Sequence, residues 1–172
     1  MTPSARNRNH SAWPGAIPLA SLYTAGAAGQ IFFDALKRQG RLIASRCRAC
    51  KQVYLPARAF CERCFGALTQ RVAVKPTGRI VSYTICHVDR DRAPLRRPRV
   101  LALVQLDGAD TVLLHDLLGA RDPEQIKIGS PVEVKIKPKR RRVGSILDIE
   151  GFVLLGKAPK AGAHNSRFEE NS

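Results

Sequence analysis

No stretch of the chain approaches the ~18 consecutive apolar residues that a membrane-spanning helix needs, so no helix of it crosses a bilayer. Acidic residues are scarce: 14 Asp and Glu face 29 Lys and Arg, a net charge of +15. Such a balance suits an anionic partner, whether nucleic acid, a phosphate-bearing cofactor or an acidic protein, and charge alone does not choose among them. Aromatic residues make up only 6%. In the strand-rich half of the chain they reduce to Tyr83 and Phe152, with no interleaving of aromatics and cations such as single-strand binding uses. A compact hydrophobic signal core is also missing. Arg6 and Arg8 precede Ala12–Ala28, but Pro14 and Pro18 interrupt a segment rich in Ala and Gly. Residues 1–29 therefore read as a disordered leader, and the protein as cytoplasmic.

What the chain does contain is organised around Cys47-Arg48-Ala49-Cys50 and, ten residues on, Cys61-Glu62-Arg63-Cys64. Each C-x-x-C turn points two sulfurs the same way. Two such turns face to face give the tetrahedral thiolate set of one structural Zn²⁺. Two disulfides or a redox pair are the competing readings. Disulfides need an oxidising compartment, and a redox site needs one pair rather than two. Four cysteines fill the coordination sphere and leave no position for a catalytic water. A segment this short buries too little apolar surface to fold alone, so the metal would supply its folding energy.

Around the cysteines the pattern reads as helix, ribbon and barrel. Ile31, Phe32, Ala35 and Leu36 recur at helical spacing over Gln30–Gln39, and Gly40 ends the run. The apolar stripe faces either its own ribbon or a partner. Strands are expected at Arg41–Ser45 and Lys51–Leu55, then at Arg71–Lys75, Arg79–Val88, Val100–Leu106, Thr111–Leu114, Val132–Lys137 and Ile146–Leu155. Asp107-Gly108-Ala109-Asp110 is a hairpin signal, and Asp122-Pro123-Glu124-Gln125 starts a helical turn. The fold class is mainly β: an N-terminal helix and a rubredoxin-like zinc ribbon, then a small OB-fold Greek-key barrel. The domains expected are the leader (1–29), helix plus ribbon (30–69), OB fold (70–156) and a disordered tail (157–172).

No catalytic residue emerges. Cys86 and His87 are adjacent on a strand and point to opposite faces, and His115 beside Asp116 is a weak signal. Arg90–Arg99 reads as a proline-stiffened basic loop, and the cations between Lys135 and Arg142 as a charged hairpin tip.

Taken together, "FFDALKRQGRLIASRCRACKQVYLPARAFCERC", "GRIVSYTICHV", "VLALVQLDG" and "DPEQIKIGSPVEVKI" resemble, in order and spacing over about residues 30–155, the zinc-ribbon plus OB-fold acyl-CoA-associated family. That family was formerly labelled domain of unknown function 35. Lys51 stands where the family usually has Gly, Phe33 where it often has Trp, and the hairpin near 138–143 is unusually basic. The resemblance implies a non-catalytic subunit of a thiolase-like enzyme, or of a related acyltransferase or aldolase. Such a subunit helps bind or channel an acyl-CoA, and the catalytic Cys and His belong to the larger subunit. It also places Arg92, Arg96, Arg97 and Arg99 near the CoA, whose phosphates suit the planar arginine fork. The alternative is a basic nucleic-acid-binding module.

Overall fold

The computed structural model describes residues 20–21, 23–120 and 126–156. Helix α1 (Gly26–Gln39) starts four residues inside the segment expected to be leader. It ends at Gly40, whose left-handed φ of 68° lets its N–H reach the carbonyls of Ala35 and Leu36. The Arg142 guanidinium lies over it, 2.8 Å from where a Cβ on Gly40 would fall. Lys37 and Arg38 occupy the last turn, where the helix dipole favours cations. Ala28, Phe32 and Leu36, four residues apart, form the buried stripe. The stripe packs on the chain's own ribbon and barrel core.

The ribbon is a three-stranded antiparallel sheet rather than a lone hairpin. Strand β1 (Leu42–Arg46) lies between β2 (Val53–Tyr54) and β3 (Gln70–Val74). The strand expected at Arg71–Lys75 is thus β3, and it pairs with β1, Ile43 opposite Ala73, instead of joining the barrel.

The barrel closes in the order β4-β5-β6-β8-β7 from β4 (Thr77–Val88), β5 (Pro94–Leu106), β6 (Val112–Leu118), β7 (Pro131–Ile136) and β8 (Ile149–Leu154). Every pairing is antiparallel except β6 with β8, which is the Greek-key order of an OB fold. Alternation puts Val100, Ala102, Val104 and Leu106 of β5 inside, against Ile80, Val132 and Phe152. At Gly78, β4 approaches β5 so closely that a Cβ would fall 2.3 Å from the Gln105 carbonyl oxygen. The helical turn expected at Asp122–Gln125 lies outside the described residues. The hairpin tip expected at 138–143 is a 3₁₀ turn, Lys139–Arg141.

Ribbon and barrel share one core: a continuous apolar cluster runs from Phe32, Leu36 and Leu42 through Leu55 and Ala57 to the barrel interior. They are also stitched edge to edge. Asp110 donates its N–H to the Val53 carbonyl (2.9 Å) and accepts the Val53 N–H on Oδ2 (2.8 Å). Thr111 Oγ1 accepts the Leu55 N–H (2.8 Å) and donates to the Leu55 carbonyl (2.9 Å). The β5–β6 turn thereby imitates a strand against β2. Thr111→Val keeps the shape but orphans both backbone groups of Leu55. It is expected to cost about 2 kcal/mol and lower Tm by about 6 °C. An unchanged Tm in a thermal melt would count against the stitch.

Candidate metal centre

Cys47 and Cys50 follow β1, and Cys61 and Cys64 form the second knuckle; in each, backbone hydrogen bonds close the turn. The Cys47 N–H reaches the Gln52 carbonyl (2.8 Å) and the Cys61 N–H that of Gly66 (2.9 Å). The second knuckle is tied to the ribbon by buried Ser45, whose hydroxyl donates to the Arg58 carbonyl and accepts the Arg58 N–H, both at 2.9 Å. The four sulfurs lie within 4.8 Å of one another. Cys47 and Cys64 are 3.5 Å apart, and Cys50 and Cys61 3.4 Å. Thiolates held 2.3 Å from a shared tetrahedral centre stand roughly 3.8 Å apart, so the donor set fits Zn²⁺. All four cysteines are free, and these separations are far beyond a disulfide bond of about 2.05 Å.

Tyr54, which the sequence reading passed over, is fully buried behind the site, its hydroxyl 3.2 Å from Cys61 Sγ. That hydrogen bond, aided by the Cys64 and Arg63 backbone N–H groups, brings the Cys61 thiol down to about 6 against the opposing effect of burial. A thiolate supported in this way is ready to ligate. Cys47 and Cys61 are buried, Cys50 is half-buried and Cys64 exposed, so the centre sits at the ribbon tip.

The basic segment is less loop than expected. Arg92 occupies the β4–β5 turn at φ 66°, where Asp89 Oδ1 accepts the N–H groups of Asp91 and Ala93. Arg96, Arg97 and Arg99 are on β5. Cys86 pairs with Arg99 and Val88 with Pro94, so Leu95, Arg96, Arg97 and Pro98 bulge opposite His87 alone. Arg99 is not free. Its Nε and Nη2 donate to the two carboxylate oxygens of Asp116, the latter at 2.8 Å. The guanidinium holds Asp116 below the usual carboxylate range. Arg97 and Arg99 line a cleft of about 310 Å³ together with Asp116 and Leu118; Arg92 and Arg96 do not line it. Half-buried His115 sits edge-on to Phe152 at 6.5 Å, and burial lowers its pKa. Cys86 is half-buried, His87 exposed, and no hydrogen bond joins them among the described residues.

Two family models match. ChsH2 rubredoxin-like zinc ribbon domain covers residues 34–69, and ChsH2 C-terminal OB-fold domain covers 71–137. A DUF35 domain-containing scaffold protein of Methanothermobacter thermautotrophicus is 31% identical over 58% of this chain and 74% of its own. A "Probable enoyl-CoA hydratase alpha subunit" of Thermomonospora curvata is 37% identical over 59% of this chain; the match spans only 30% of that longer protein. A solved structure described as "Ltp2-ChsH2(DUF35) aldolase" matches 75% of this chain and 94% of its own at 29% identity, TM-score 0.54. With both family models matched in order along the ribbon and the barrel, and a relative of that family covered over 74% of its length, the chain belongs to the DUF35 family of ChsH2-type zinc-ribbon plus OB-fold proteins.

Proposed function

We propose that the chain is a non-catalytic subunit that assembles with a larger thiolase-like or aldolase enzyme and helps it bind or channel an acyl-CoA. The observation that carries this reading is the likeness, over 94% of the matched chain, to the ChsH2 component of an aldolase complex. Two features of the molecule agree with it. All four metal ligands come from the chain, which leaves no open coordination position for chemistry. The bulged basic segment of β5 offers Arg96 and Arg97 to the phosphates of a CoA, while Asp116 neutralises Arg99. A nucleic-acid role is less well supported by the barrel, because Phe152 is fully buried and leaves half-buried Tyr83 without a second ring to form a stacking platform.

The test is a tagged pull-down from native cell extract in moderate salt, with the recovered proteins identified by mass. A stoichiometric acyl-CoA enzyme is expected. Recovery of nucleic acid alone, lost as salt rises, would sink the subunit reading. In the recovered complex, Arg97→Ala is expected to weaken acyl-CoA binding about tenfold, the loss of one charge-assisted hydrogen bond. An unchanged affinity would move the phosphate site elsewhere.

A further inference from the structure

The two knuckles are built alike, and in each the residue after the second cysteine takes a left-handed backbone: Lys51 at φ 64° and Phe65 at φ 57°. Side chains other than Gly rarely adopt this conformation, and for a bulky aromatic it is strained. Lys51 returns something for the strain, since its Nζ donates to the Arg48 carbonyl at 2.7 Å and closes its own turn. Among the described residues the Phe65 side chain makes no such return. Its ring is 81% exposed, and no aromatic partner meets it among the described residues. Phe60, just ahead of the same knuckle, is 66% exposed. Glycine would suit position 65 better on stability alone, and nothing among the described residues favours phenylalanine there.

We propose that the second knuckle is a docking anchor: Phe60 and Phe65 insert into an apolar pocket with an acidic rim on the enzyme subunit. This rests on the subunit reading above. Exposed aromatics held rigid are the residues that dominate protein interfaces, since little conformational freedom is lost when they are buried. Here the metal cage and the Ser45 bracket would supply the rigidity. The charge of the rim follows from the residues beside the rings. Arg58 is already paired with Glu62 at 2.8 Å, whereas exposed Arg48, Lys51 and Arg63 have no carboxylate partner among the described residues. A pocket edged with Asp and Glu complements them, and their attraction would guide the rings in.

The experiment compares the wild-type chain with Phe65→Gly on two readouts, using the enzyme subunit that the wild-type chain recovers. Phe65→Gly is expected to raise Tm by about 2 °C through relief of the left-handed strain. At the same time it should weaken binding of the purified enzyme subunit about 30-fold. Phe60→Ala should weaken binding in the same direction with Tm unchanged. A Tm for Phe65→Gly lower by more than about 4 °C, beyond what glycine's extra freedom in the unfolded chain costs, would mean that the ring packs against the chain's own segments and would overturn the anchor. So would a dimer of the isolated chain that dissociates on the substitution, seen by sedimentation. Unchanged enzyme affinity would overturn the anchor while leaving the subunit reading intact; recovery of no enzyme by the wild-type chain would overturn both. If a fluorescent 20-mer of single-stranded DNA binds the wild-type chain and loses affinity in Phe65→Gly, the rings stack on bases and the protein pocket is wrong.

Discussion

Replacing Cys47 with serine, or stripping the metal with a chelator, is expected to unfold the ribbon and to lower the Tm of the whole chain by at least about 15 °C. Zinc binding to a four-thiol site is worth about 10 kcal/mol or more, which is as large as the whole stability of an ordinary domain, about 5–15 kcal/mol. The ribbon has little else to hold it. Its local cluster is Cys47, Tyr54, Cys61 and Leu68, so two of its four buried members are themselves ligands. Damage does not stop at the ribbon. Phe32, Leu36, Leu55 and Ala57 belong to the cluster that continues into the barrel, so a melted ribbon uncovers one side of the barrel core. Metal analysis should find one zinc per wild-type chain, and Cys86→Ser, which removes the thiol outside the cage, should keep both metal and Tm. A Cys47→Ser chain that melts like wild type, or a metal-free wild-type chain with its ribbon intact, would remove the metal from the account of stability.

The metal site was legible in the sequence because its information is local. Two C-x-x-C turns fix their own sulfur directions, and only their meeting depends on the fold. The barrel strands were legible for a similar reason: Val100–Leu106 and Val132–Lys137 alternate in a way that survives any arrangement of neighbours. Pairing partners were not. Gln70–Val74 alternates equally well as a barrel strand or as the third strand of the ribbon, and only its register against Leu42–Arg46 decides. Pro94 and Pro98 made the basic stretch look like a loop. They are tolerated in β5 because Pro94 ends the ladder and Pro98 lies in the bulge opposite His87, where no ladder N–H is required. Arg99 illustrates a further limit. The sequence counts it as a free cation, but Asp116, seventeen residues later, neutralises it across adjacent strands. Phe65 was silent because its backbone angle is invisible in the sequence. The one signal was that it follows a second knuckle cysteine, as Lys51 does.

The second large effect is expected at Asp148, a fully buried carboxylate in the 3₁₀ turn Ile146–Asp148 that precedes β8. Burial alone would raise its pKa. Backbone N–H groups overcome this: Val143 donates to Oδ1 at 2.9 Å and Gly144 to Oδ2 at 2.7 Å, and the net shift is downward. The loop so gathered is the one that holds α1. Arg142, whose Nε donates to the Lys137 carbonyl at 2.6 Å, covers Gly40, and Gly144 lies against Lys37. Asp148→Asn keeps the size but sets an amide N–H₂ against one of the two backbone donors. The expected loss is about 3 kcal/mol, from one orphaned buried donor and the lost charge on the other bond. Tm should fall by about 9 °C. The pH dependence follows from the sign of the shift. A carboxyl whose folded pKa lies below its unfolded value of about 3.9 stabilises the fold fully above that value; the contribution fades as pH falls through the folded pKa. Wild type minus Asp148→Asn should therefore be a constant stability gap from pH 7 to about pH 5 that narrows below pH 4. Taking the difference cancels the acid release of metal from the thiolates, which both proteins share. A gap that stays flat down to pH 3 would show that Asp148 acts by shape alone, and that its charge does not hold the loop to the helix.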